Sequence, residues 1–232
     1  MIASDAVSAA ASWRPQQFGD KRAASIVDPI IEPLWTGPRI MALVHRSTVR
    51  LTDEDGMPIE GYPEIVDAIL ESTAGATVLL EAYLTAEPIQ APAELAMPEL
   101  VTMPKRAEVV TQMVLGSHGD RRERLARQQE EDRLRTVDGA SDQVALVAVD
   151  LLWLDDQSLC DVPLLERKRI LESVLSESDL VRVGIHVKPP VDPWLVSWRS
   201  FGFRRLAYKS ANSRYLPGQK NQEWATAAIP QR

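Results

Sequence analysis

Leu146-Val147-Ala148-Val149-Asp150-Leu151-Leu152-Trp153-Leu154-Asp155-Asp156-Gln157-Ser158-Leu159-Cys160-Asp161-Val162-Pro163-Leu164-Leu165-Glu166-Arg167-Lys168-Arg169-Ile170-Leu171-Glu172-Ser173-Val174-Leu175 is the stretch whose reading decides the fold. Val144 to Val149 is an apolar run, rich in Val and too short for a helix, which predicts a buried strand. Asp150 closes that run, and a carboxylate there is costly to bury without a partner or a job. Leu151 to Leu159 follows and is broken by the turn signal of Asp155, Asp156 and Ser158. A helix comes last. Asp161 is placed to cap it, and Pro163 falls near its first turn, where a missing N–H is harmless. Leu164, Leu171, Val174 and Leu175 share one face, with Glu166, Arg167, Lys168 and Arg169 mostly on the other.

The chain around this stretch has 232 residues, enough for one large domain or two small ones. It is 45% hydrophobic and 25% charged, as expected of a folded soluble protein. A net charge of -7 argues against a free-standing nucleic-acid binder, which carries a basic footprint. The single cysteine, Cys160, excludes an internal disulfide and a cysteine metal cluster, and fits a cytoplasmic location. His45, His118 and His186 are widely spaced and form no metal motif. Met1 to Trp13 lacks the basic and apolar regions of a signal peptide, and no apolar run reaches membrane-spanning length, so no membrane partner is expected.

Residues 1–20 are small and polar without a period, which reads as a flexible N-terminus, Trp13 excepted. Met41 to Leu51 reads as a hairpin turning at Arg46-Ser47, and Tyr62-Pro63-Glu64-Ile65 opens a helix. Thr77 to Leu84 reads as a strand carrying Glu81. Residues 87–106 hold Pro88, Pro92, Pro98 and Pro104 and read as a long connection. Residues 117–135 are nearly all charged or amide and read as a charged surface insertion. Val181, Val183, Ile185 and Val187 alternate as a half-buried strand, and Trp194 to Ser200 reads as a short helix.

The central stretch resembles the adenylation domain of ATP-dependent DNA ligases, bacterial repair type. That family has an aromatic-Asp-Leu-Leu-Trp-Leu-Asp strand and then a Pro-Leu-x-x-Arg-Lys helix; here Val149 to Asp155 and Pro163 to Lys168 stand in those places. Its Glu-Pro-Lys-Trp-Asp-Gly-x-Arg motif appears as Glu32-Pro33-Leu34-Trp35-Thr36-Gly37-Pro38-Arg39. Its closing Ser-x-Tyr-x-Pro-Gly and Trp appear at Ser213, Tyr215, Pro217, Gly218 and Trp224, with Lys209 matching the lysine before them. The resemblance covers residues 27–226. It implies an α+β nucleotidyltransferase fold of the ligase and capping-enzyme kind: mostly antiparallel sheets flanked by helices, spanning residues 21–232, without the C-terminal oligonucleotide-binding-fold domain. It also implies ATP and magnesium as cofactors, with Trp35, Gly37, Arg39, Glu81, Asp150 and Lys209 as contacts, and DNA or DNA-repair proteins as partners. The Glu81 register is uncertain by one residue, and a solvent-facing Glu on an edge strand is the plain alternative.

Departures from the family concentrate at its chemical positions. Leu34 replaces the nucleophilic lysine and has no nucleophilic atom. Val149 replaces the aromatic on which adenine stacks, Arg204 replaces a glutamate, and Thr226 and Ala228 replace the final lysines. Three readings follow: a ligase-like domain without adenylation activity that binds nucleotide or DNA ends in repair; an active ligase using another lysine, Lys21 or Lys209; and an interaction module whose pocket is filled by Leu34 and Val149.

Overall fold

The computed structural model describes Val7, residues 9–86 and residues 144–230. Two sheets face each other. The larger has six strands in the order β4-β3-β5-β6-β7, with β8 also on β6. They are β3 (Arg39–His45), β4 (Thr48–Thr52), β5 (Val78–Thr85), β6 (Ala145–Leu154), β7 (Gln157–Ser158) and β8 (Val181–Val183). The smaller, antiparallel sheet has β9 (Arg205–Ser210) between β2 (Pro29–Pro33) and β11 (Trp224–Ala228). A short parallel pair joins β1 (Gln17–Phe18) to β10 (Lys220–Asn221). This is the expected α+β architecture of mostly antiparallel sheets and flanking helices.

β5 and β6 read as near-continuous apolar runs because both of their faces are covered. Leu80, Ala82, Leu84, Leu146, Ala148 and Leu151 belong to the core beneath helices α1 (Pro63–Ser72) and α2 (Leu164–Val174). Leu79, Tyr83, Val147, Val149 and Leu152 face the smaller sheet. β6 carries one residue more than β5 at Val149 and again at Leu152, as the pairs Ala82↔Ala148, Glu81↔Asp150, Leu80↔Leu151 and Leu79↔Trp153 require. Bulges re-aim side chains. Here they set the Asp150 carboxylate beside Glu81.

Glu81 is therefore on an interior strand, fully buried; the alternative of a solvent-facing edge residue is overturned. The hairpin turns at Arg46, in the left-handed region with φ 55°. The alternation over 181–187 yields a strand only at 181–183, because the chain then leaves β6 and Val187 bridges to Ile31 instead.

Helix α2 corrects two expectations. Arg167 and Lys168 are fully buried and not on a solvent face. Asp161 does not cap the helix; it is exposed and meets Arg214 at 3.3 Å. The first turn is satisfied by backbone instead, with the Leu164 and Leu165 N–H groups donating to the carbonyls of Ser213 and Ala211. Helix α3 (Asp192–Ser200), as expected of 194–200, buries Trp198 in the apolar cluster with Ile31 and Leu206 of the smaller sheet.

Part of the lead-in packs on the domain. Trp13 packs on Trp153 at 6.2 Å, Phe18 on Trp224 at 5.8 Å, and the Gln16 N–H donates to the Tyr215 hydroxyl. The connection 87–106 and the charged segment 117–135 lie outside the described residues. No helix among the described residues is long and apolar enough to cross a membrane.

Gly37 joins the two sheets in the left-handed region at φ 99°, and a Cβ there would stand 2.1 Å from the Leu84 carbonyl oxygen. Gly37→Ala is expected to lower unfolding stability by about 2 kcal/mol or more. Urea denaturation at unchanged m-value checks this.

Candidate nucleotide cleft

The charged residues singled out in the sequence meet between the two sheets. Arg39 on β3 donates from Nε and Nη2 to Glu81 on β5, at 2.9 and 2.6 Å. The Tyr215 hydroxyl donates to the other Glu81 oxygen. Arg167 on α2 donates from Nε and Nη2 to the two oxygens of Asp150 on β6, at 2.8 and 2.7 Å, and from Nη1 to the carbonyls of Val162 and Ser213. Glu32 on β2 lies between two ammoniums: Lys209 Nζ donates to Oε2 at 2.8 Å, and Lys168 Nζ stands 2.6 Å from Oε1. The Lys168 contact is an ion pair without hydrogen-bond alignment. Lys209 also sits over the Trp224 ring, 4.2 Å from its centroid.

All these groups are buried, and among the described residues four cations (Arg39, Arg167, Lys168, Lys209) stand against three buried carboxylates (Glu32, Glu81, Asp150), with the exposed Glu54 3.9 Å from Arg39. The imbalance is local to Glu32. Burial would raise its carboxyl, but Lys168 and Lys209 outweigh burial and hold it at about 2. One carboxylate does not offset two ammoniums, so burial, reinforced by Lys168, lowers Lys209. His186 faces the same cluster. Burial, then the Lys168 charge, lowers it to about 4, so it stays neutral at pH 7. Burial opposes the charge on Arg39 and Arg167, but Glu81 and Asp150 outweigh it and raise both. Burial and then Glu81 push Tyr215 well above the ordinary phenol, so it is a donor.

The remaining candidates lie beside this ionic layer in an apolar cluster. Trp35 packs edge-on to Phe203 at 4.8 Å, and both belong to a cluster with Tyr83, Val149 and Ile229, with Leu34 packed against it. Val149 is buried. The Leu34 N–H donates to the Arg205 carbonyl, which fixes the chain there against β9. The structure thus brings Arg39, Glu81, Asp150 and Lys209 into one network and Leu34, Trp35 and Val149 into one cluster. Lys21, the other lysine considered, is exposed and outside both.

Sequence reasoning missed Arg167 and Lys168 as part of this layer. The signal was present: Leu164, Lys168, Leu171 and Leu175 follow helical spacing, so Lys168 falls on the apolar face. Glu32 was noted only as a motif position, although it is the hub of two ion pairs.

The sequence model of the family described as ATP dependent DNA ligase domain matches residues 28–226. The chain belongs to that family. Among solved structures, this ligase-family chain is similar to the ligase domain of LigD from M. tuberculosis, at 19% identity over 94% of this chain and 60% of that one, with a TM-score of 0.60. It is equally similar to a mycobacterial DNA ligase D complexed with ATP and MES, at 20% identity over 93% of this chain and 60% of that one, TM-score 0.60. At such identities the likeness establishes the fold, that of ligase nucleotidyltransferase domains. The chain spans about 60% of the length of these two ligase structures. No curated protein sequence matches it.

The residues present do not fit a covalently held AMP. Leu34 offers no amine, and Lys168 and Lys209 are buried on one carboxylate. Thr226 and Ala228 offer no cation where the family's final lysines stand. Among the described residues no group of three His, Cys, Asp or Glu is placed to hold a metal.

Two tests follow from the ionic layer. Arg167→Met leaves Asp150 buried without its partner and is expected to lose roughly 3–5 kcal/mol, most of it recovered by adding Asp150→Leu; a double-mutant cycle by urea denaturation measures this. The second test is pH. Glu32 and His186 are both lowered on folding, from 4.5 to about 2 and from 6.5 to about 4. In those windows the unfolded chain binds more protons, so stability falls as pH falls, first from 6.5 toward 4 and then further toward 2. His186→Gln is expected to flatten the first phase, worth roughly 2–3 kcal/mol, while leaving the second. Unfolding free energies between pH 7 and pH 4, with and without the substitution, check it.

Proposed function

We propose that this is a ligase-family domain that does not adenylate itself and works by binding partners. The observation that carries the reading is the occupation of both buried lysines by Glu32, with leucine at position 34. Covalent catalysis by an amine needs a free lone pair within about 3 Å of the phosphorus it attacks. Lys209 has a lowered pKa, but its Nζ is buried, bonded to Glu32 and set against Trp224, so it has no approach to a phosphate.

The same packing speaks against retained nucleotide binding. Arg39, Glu81, Asp150 and Lys209 each spend their hydrogen bonds on one another or on Arg167, Tyr215 and Glu32. A nucleotide would have to break these pairs and displace the cluster of Trp35, Val149 and Phe203. Of the three readings, the interaction module with a filled cleft has the most support. Family membership is what supports DNA, or proteins that process it, as the partner class, and repair as the setting.

Incubation with ATP and magnesium, followed by intact-mass measurement beside a no-ATP control, tests the reading. The expected mass is that of the unmodified chain. A gain of one AMP would overturn the proposal and identify an active nucleotidyltransferase.

A further inference from the structure

We propose that the free edge of β11, with the pocket at its end, docks an extended acidic peptide segment of a partner protein by strand addition. This deepens the reading above of a silent partner-binding domain and rests on it. Among the described residues β11 is an edge strand, bonded to β9 on one side only. The antiparallel ladder pairs Ala225 with Tyr208 and Ala227 with Leu206, and the flanking bonds Ser210 N–H to Glu223 and Ile229 N–H to Arg204 fix which residues bond inward. By alternation, Thr226 and Ala228 turn their backbone N–H and C=O groups away from β9. The lead-in covers the start of the strand, where the Gly19 N–H donates to the Trp224 carbonyl. The turn at Ala23–Ser25 packs near β11 but, among the described residues, makes no backbone bond to it. Thr226 and Ala227 are partly exposed and Ala228 is exposed, and such small side chains let a second backbone approach.

Charge selects the occupant. Beyond Ala228 the surface opens into a cavity of about 320 Å³ lined, among the described residues, by Arg199, Phe203, Arg204, Ala228, Ile229 and Pro230, none of them a carboxylate. Arg199 is aimed by bonds from Nε to the Leu195 carbonyl and from Nη1 to the Pro230 carbonyl. Arg205, one residue along, reaches the Thr226 hydroxyl. None of these three arginines meets a carboxylate among the described residues, in a chain whose net charge is -7. A strand added along β11 gains main-chain bonds from Thr226 and Ala228, places acidic side chains toward the guanidiniums, and sets an apolar side chain on Phe203 and Ile229. Pairing of two copies through this edge would bring like charges together, which opposes self-association. A nucleic acid has no use for the strand's outward donors and acceptors in register.

The experiment is a titration of the folded chain, followed by amide chemical shifts. The probes are a capped Glu-Val-Glu-Val-Glu peptide, the same peptide with Lys for Glu, and a short DNA duplex. The expected result is saturable shifts at the Thr226 and Ala228 amides with the acidic peptide and none with the basic one. Arg204→Glu, an exposed charge reversal, is expected to weaken binding about tenfold or more. Ala228→Pro removes an outward N–H without touching the β9 ladder and is expected to abolish binding. Equal response to both peptides, indifference to both substitutions, shifts with the duplex alone, or a dimer in sedimentation would each overturn the proposal. Failure here leaves the mass measurement unaffected, and a gain of AMP there would sink the silent-domain reading without altering this titration.

Discussion

Glu32 lies between Lys168 and Lys209, and much of the structure depends on that contact. It ties three separated parts of the chain together: β2, where the first motif opens, the first half of α2, and β9 at the centre of the small sheet. Arg39 with Glu81 and Arg167 with Asp150 repeat the pattern alongside it. An ion pair in a dry interior gains little net stability over apolar groups of the same size, yet losing one partner is severe. Such a layer therefore specifies how the two sheets register more than it strengthens their contact. The four cations and three buried carboxylates leave a surplus of positive charge, to which the neutral His186 does not add.

Two kinds of side chain meet between the sheets. The charged groups are closed upon themselves, and next to them Trp35, Tyr83, Val149 and Phe203 form a packed apolar cluster. Fold and function are separable, because a fold rests on burial and register while chemistry rests on a few atoms. Leu34 packs against the apolar cluster, where an amine would need a partner.

Much of the architecture was legible in the residues. The apolar runs of β5 and β6, the hairpin at Arg46 and both helices flanking the large sheet follow from periodicity and turn chemistry. β2 and β11 were not read as strands. β2 is bracketed by Pro29 and Pro33, and β11 is mostly alanine, so neither carries a strand signature. Both are edge strands, where such residues are tolerated. The solvent face assigned to Arg167 and Lys168 failed for a related reason: residue type suggested exposure, while helical spacing placed Lys168 with the leucines.

The sequence by itself determined that Leu34 cannot be a nucleophile, because the presence or absence of an amine is a covalent fact. It also determined the family, through spaced turn and packing residues that few folds require together. Only the tertiary structure decided what became of the remaining charged positions. Whether Lys209 is a free phosphate ligand or a neutralised core group depends on Glu32, 177 residues away in the chain, and on Lys168 from a third element. Ion pairing in a buried layer is set by distances of a few ångströms between elements remote in sequence, and those distances follow from the bulges and the sheet register, which no local pattern of residues records.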